Sequence, residues 1–126
     1  MTMTARGTFE VTISSHEPDS GIGRFDLAKT WLGHLAGTGH GQMLSAGDPT
    51  QGSAGYVALE VVDGSLHGRT GSFALQQLGV MHAGDQELDY RVVPGSGTGE
   101  LAGITGTLAL TIDERGHSYE LTYTLS

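Results

Sequence analysis

Lys29 is the only lysine of the chain, and it stands between Leu27 and Trp31 on a period of two that also takes in Phe25. Such alternation is a strand signal, so the lysine shares a face with apolar side chains. An ammonium in that setting is costly unless it is paired or opens onto a wet cavity. A lysine held there can orient a polar group or move a proton. The plainer alternative is that it snorkels to the rim of the sheet, or that a bulge breaks the parity.

Glu60 is the second candidate. Asp63-Gly64 carries the signature of a two-residue hairpin turn, which predicts Val62 opposite Ser65, Glu60 opposite His67 and Ala58 opposite Arg69. A carboxylate facing an imidazole can tune proton transfer near neutral pH. The same register has a plainer reading, and spacing favours it. There Glu60, His67 and Arg69 form a solvated outer face while Val57, Leu59 and Val61 line the core.

The run Phe73-Ala74-Leu75-Gln76-Gln77-Leu78 is apolar on both faces, as are residues 56–62 and 42–46. Two-sided apolarity predicts burial on both sides, here an inner cavity on one and a subunit contact within a homo-oligomer on the other. One of Gln76 and Gln77 then sits in a partly apolar setting, where its amide can orient a ligand. Tyr119 and Tyr123 share the inward face of the last strand with Leu121. Their hydroxyls can meet a ligand, although core tyrosines with satisfied hydroxyls are commoner.

Other chemistries fail on context. Gly95-Ser96-Gly97-Thr98-Gly99-Glu100-Leu101 has no lysine, leads into a strand and carries an anion-repelling glutamate, so it is a turn rather than a phosphate cradle. The six histidines, His16, His34, His40, His67, His82 and His117, contain no HxH or HxxxH pair, and no metal site is expected. Neither Gly52-Ser53-Ala54-Gly55 nor Gly71-Ser72-Phe73 is a nucleophile elbow.

The elements that position these residues are strands. Residues 8–14, 88–92, 108–112 and 119–125 alternate cleanly, and residues 23–35, 41–46, 56–62 and 72–81 add further runs. Residues 25–35 are the nearest approach to a helix, but alternation fits them better. Ala83-Gly84-Asp85, Glu114-Arg115-Gly116 and Gly47-Asp48-Pro49 mark further turns. About eight short antiparallel strands mean a sandwich or a closed barrel. Glycine, at 21 of 126 residues, relieves crowding where strands bend and so favours the barrel, as one domain over residues 1–126.

Composition narrows the partners. Fourteen Asp+Glu against six Lys+Arg give a formal charge of −8, which argues against nucleic acid or an anionic membrane surface. The absence of cysteine excludes disulfides and thiolate chemistry. No stretch is long and apolar enough to span a bilayer as a helix, and the first residues lack an apolar leader, so a cytoplasmic protein is expected.

Several phrases carry a family resemblance. They include Gly41-Gln42-Met43-Leu44-Ser45-Ala46, Tyr56-Val57-Ala58-Leu59-Glu60 and Gly68-Arg69-Thr70-Gly71-Ser72-Phe73-Ala74-Leu75-Gln76. Val92-Val93-Pro94-Gly95-Ser96-Gly97-Thr98-Gly99-Glu100 and His117-Ser118-Tyr119-Glu120-Leu121-Thr122-Tyr123 continue the match along the chain. Together they resemble DUF3224, a family of small bacterial proteins with a barrel similar to allene oxide cyclase. The resemblance implies an eight-stranded antiparallel, calycin-like barrel with an interior pocket. Related barrels include allene oxide cyclases, dirigent proteins and spirotetronate-forming cyclases, which hold a reactive apolar molecule in one conformation without a cofactor. It also raises Glu60 and Gln76 as pocket residues. The family often has a histidine after that glutamine, where Gln77 stands here.

The expectation is therefore a cofactor-independent barrel enclosing a small, largely apolar molecule, as a cyclase or isomerase of specialised metabolism. Glu60 and Lys29 are the expected catalytic pair, with Trp31, Gln76, Tyr119 and Tyr123 shaping the substrate pocket. A non-catalytic carrier barrel and a structural oligomer with a filled interior are the alternatives.

Overall fold

Alternating side chains, broken by tight turns, give the chain eight strands and no α-helix. They are β1 (Met3–Ser15), β2 (Gly23–Gly33), β3 (Leu35–Asp48), β4 (Ser53–Leu66), β5 (Arg69–His82), β6 (Asp85–Val92), β7 (Thr105–Asp113) and β8 (Gly116–Thr124). In the computed structural model, which describes residues 1–126, these close into one antiparallel barrel in sequential order, with β8 pairing β1. Two single-turn 3-10 segments, Pro49–Gln51 and Gly99–Leu101, lie in the connections. No helix is long and apolar enough to cross a membrane.

The expected turn at Asp63-Gly64 is corrected. Both residues lie inside β4, where Gly64 pairs with Gly37 of β3 and Gly71 of β5. A Cβ on Gly64 would stand 2.1 Å from the Ala36 carbonyl oxygen, so this glycine serves a close approach of two strands and not a reversal. The chain reverses instead at His67-Gly68, with φ of 49° and 81°, a pair of positive values suited to a tight hairpin. Glu60 therefore faces Leu75 on one side and Gly41 on the other, not His67.

The faces of β4 are inverted as well. Ala58, Glu60 and Val62 point into the barrel and are buried, whereas Val57, Leu59 and Val61 point outward and are about half exposed. β2 keeps the expected parity: Leu27, Lys29 and Trp31 are all buried on the inner face.

The interior is filled at one end only. Trp31, Leu35, Val62, Leu66, Phe73 and Leu121 pack there with essentially no exposure. The connection between β6 and β7 folds over that end, pushing Leu101 and Ile104 into it as a stopper. This glycine-rich connection runs along the first half of β5, where β6 no longer reaches. Val93 and Thr98 donate backbone N–H groups to the Ala74 and Ser72 carbonyls at 2.9 and 2.8 Å. Gly71 permits the approach, since a Cβ there would meet the Thr98 carbonyl oxygen at 2.1 Å.

Toward the other end, the inward-facing side chains become progressively wetter. Along β1 the series Ala5, Phe9, Val11, Ile13 runs from 0% to 53% exposed, and along β7 Leu108 to Ile112 runs from 6% to 66%. The barrel is a cup with a stoppered base and an open, apolar mouth.

Candidate functional site

At the level where the packed base gives way to the cup stands a cluster of four polar side chains. Lys29 and Glu60, 7% and 3% exposed, form an ion pair with Nζ 2.8 Å from Oε1. The same Nζ donates to the Tyr90 hydroxyl at 3.0 Å, and that hydroxyl in turn donates to Glu60 Oε1 at 3.3 Å. The Trp31 indole N–H donates to the other carboxylate oxygen, Oε2, at 3.1 Å. The ammonium also lies 4.7 Å from the centroid of the Phe9 ring and 5.3 and 5.5 Å from those of Trp31 and Tyr90, an aromatic cage that favours a cation electrostatically.

Neighbouring strands bring these groups together from distant parts of the sequence. Lys29 and Trp31 are successive inward positions of β2, Glu60 comes from β4 two strands away, and Tyr90 from β6. Between β2 and β4, the inward positions of β3 are Gly37, Gly39 and Gly41. Gly39 clears the path, because a Cβ there would lie 2.2 Å from Glu60 Oε2 and 3.0 Å from Trp31 Nε1. The repeated glycines of β3 thus make room across one strand for a carboxylate from the next. Burial, and then the charge of Glu60, push the Tyr90 phenol far above its ordinary value, so it stays protonated as a neutral donor.

A polar path leads from this cluster toward the mouth. Gln77 of β5 sits directly across from Tyr90 and accepts a 2.8 Å hydrogen bond from the Tyr56 hydroxyl. Tyr56 borders a cleft of about 530 Å3 at the mouth, together with Met81, Gln86, Leu88, Leu110 and Ile112. The cleft opens where β6 and β7 diverge: these two strands are in register at one residue pair, Arg91 with Thr107.

The structure separates the expected site residues into three groups. Lys29, Glu60 and Trp31 meet in the cluster. Tyr119 and Tyr123 face inward but lie in the stoppered base. The Tyr119 hydroxyl accepts the Leu35 N–H at 3.0 Å and lies 3.0 and 3.1 Å from the Leu32 and Leu35 carbonyl oxygens, pinning the β2–β3 turn. Tyr123 bonds through its hydroxyl to His67 Nδ1. Their placement in the pocket is therefore corrected, since packed neighbours leave no space beside them. Gln76 is corrected too: it is exposed on the outer face of β5, and its neighbour Gln77 takes the inward position. Parity decides this, because Phe73 and Leu75 are buried and Gln77 follows them at a spacing of two.

Tyr90, Phe9 and Tyr56 escaped the sequence reading as site residues. A signal existed for each: Tyr90 alternates with Leu88 and Val92, Phe9 with Val11, and Tyr56 shares parity with Glu60. No group of three or more His, Asp or Glu side chains is placed to hold a metal ion.

Fold and site together define a small antiparallel β-barrel, stoppered at one end and open at the other, with a buried charged cluster between its packed base and its mouth. The chain belongs to the DUF3224 family, described as a protein of unknown function, whose model matches residues 5–123. It is similar to the crystal structure of a DUF3224 protein of unknown function from Shewanella oneidensis MR-1, with 40% identity and a TM-score of 0.94, over 100% of this chain and 98% of that one. No curated protein matches the chain.

Proposed function

We propose that the barrel binds a small, largely apolar organic molecule in its cup and acts on it as a cofactor-independent cyclase or isomerase. The observation that carries this reading is the gradient along the barrel interior, from a solidly packed base to an apolar mouth, with a buried Lys29–Glu60 pair at the boundary. A barrel needing only stability would fill that level with hydrocarbon, because replacing a buried ion pair by packed apolar side chains is often neutral or stabilising. Buried, mutually dependent titratable groups at the floor of a concave apolar site are the arrangement that acid–base chemistry requires.

In this reading the cup walls restrict the substrate to a reactive conformation, the main contribution to an intramolecular ring closure or rearrangement. Glu60 takes a proton from one carbon and returns it at another, while Lys29 and Tyr90 hold the negative charge that develops on a substrate oxygen. Trp31 fixes Oε2 of the carboxylate and so sets the direction of Oε1.

A second reading, a non-catalytic carrier, has its own support. Every buried polar side-chain atom of the cluster already has a partner within the protein, so the floor is complete without a ligand. One set of measurements separates the two. Native mass spectrometry of the protein purified from its host is expected to show a retained small molecule, whose release and return change the fluorescence of Trp31, the chain's single tryptophan. With that molecule and its analogues in hand, Glu60→Gln and Lys29→Met are expected to abolish turnover while the cup still binds. Binding without turnover in the unaltered protein establishes the carrier. Absence of any bound or bindable molecule overturns both readings.

A further inference from the structure

The outside of the barrel is divided into two unlike halves. The outward positions of β1, β2, β6, β7 and β8 carry Arg6, Glu10, Arg24, Asp26, Asp113 and Glu120, besides the acidic row of β6, interleaved with threonines. Those of β3 from 36 to 46, of β4 from 55 to 61 and of β5 from 72 to 80 hold no Asp, Glu, Lys or Arg at all. They present instead Leu44, Val57, Leu59, Val61, Leu78 and Val80, each between 42% and 58% exposed. A shallow groove of about 470 Å3 runs through this face, bordered by Leu44, Val57, Leu59, Gln76 and Leu78, with Asp89 of β6, ion-paired to Arg91, at its edge.

We propose that this face is an isologous interface with a second copy of the chain, centred on Leu59. Two arguments choose that occupant. The six side chains expose roughly 500 Å2 of apolar surface, at the upper end for a lone monomer's patch. With the uncharged positions between them, the face approaches the ~800 Å2 that each partner gives a standard interface. The second argument is charge. Two copies of a chain with a formal charge of −8 repel one another. A face whose own outward positions carry no carboxylate, with only the Arg91-paired Asp89 at its edge, is where that repulsion is least and hydrophobic gain is greatest. Leu59 is in the middle of the middle strand, so a two-fold axis over it sets Leu59 against its own copy and buries the flanking leucines and valines on both sides. The interface meets the mouth cleft only at its edge, through Val80, and holds whether or not the cup is catalytic.

The absence of cysteine from the chain makes the test direct. Analytical ultracentrifugation of the full chain at tens of micromolar is expected to give a dimer. Leu59→Glu, which sets two carboxylates face to face at the axis, is expected to give a monomer with an unchanged circular dichroism spectrum. Leu59→Cys is expected to form a disulfide-linked dimer on mild oxidation, whereas Thr8→Cys, on the outer face of β1, stays uncrosslinked. A monomeric unaltered protein overturns the proposal, including one whose outer groove takes up an apolar dye or lipid in place of a partner. So does a dimer that survives Leu59→Glu, or one in which Thr8→Cys crosslinks and Leu59→Cys does not.

Discussion

The Glu60 carboxylate is held by three donors, from Lys29, Trp31 and Tyr90, in a space that Gly39 leaves empty. Removing one charge of such a pair strands the other in the interior. Glu60→Gln and Lys29→Met are each expected to lower stability by about 3–5 kcal/mol. Replacing both by Met is expected to recover part of that loss, less ~1–3 kcal/mol for each of the Trp31 N–H and the Tyr90 hydroxyl left without partners. Denaturant unfolding of the two single variants and the double variant measures this coupling. A double variant as unstable as the singles combined would show that the two residues do not act as a pair. Recovered stability without ligand binding would place the pair's value in function rather than in the fold.

The stopper formed by the β6–β7 connection is fastened by Glu100. Its carboxylate accepts the Thr70 backbone N–H at 3.0 Å and the Thr70 hydroxyl at 3.1 Å, and these bonds hold it below its ordinary value of 4.5. A carboxyl whose value is lowered on folding stabilises the fold fully above its unfolded value, and that stabilisation is lost as pH falls through the lowered one. The unaltered protein should therefore melt higher than Glu100→Gln at neutral pH, with the gap closing as the solution is acidified below about pH 4.5. Melting curves of both proteins across that range check the sign; a gap that widens in acid would refute the clasp.

At this same scale the sequence was legible in part. The strands followed from period-two alternation, and the inward lysine from its place between Leu27 and Trp31. The β4–β5 register did not follow, because an Asp-Gly pair looks the same whether its glycine serves a turn or a close strand approach. The true turn, His67-Gly68, puts a non-glycine residue at positive φ and so carries a weaker signature. Which face of β4 turns inward was hidden as well. Both faces are apolar, and the single carboxylate on the inner one becomes tolerable only through partners from β2 and β6 that no local pattern reveals.

For the molecule as a whole, the fold assigns its parts to separate tasks. The base supplies packing, the level above it holds the buried polar cluster, and the outside of β3–β5 carries the uncharged apolar face. The stoppered base explains why Tyr119 and Tyr123, inward and aromatic, serve the architecture, while Tyr56 and Tyr90, on the same kind of inner face, border the cup or its floor. Position along the barrel axis decides a residue's task here, and that coordinate is absent from a one-dimensional pattern of alternation.

Seven of the eight junctions between strands are zipped along seven or more residues, and the eighth, between β6 and β7, at Arg91 and Thr107 alone. A wall closed at one point near its foot behaves like a collar with a single button. It can spread at the lip without breaking the remaining ladders, and under the proposed function that spreading would admit a guest wider than the resting opening. Amide hydrogen exchange is expected to be fastest, within the strands, at the β7-facing amides of residues 85–89 and the β6-facing amides of residues 109–113, and to slow there when a guest bridges the slit.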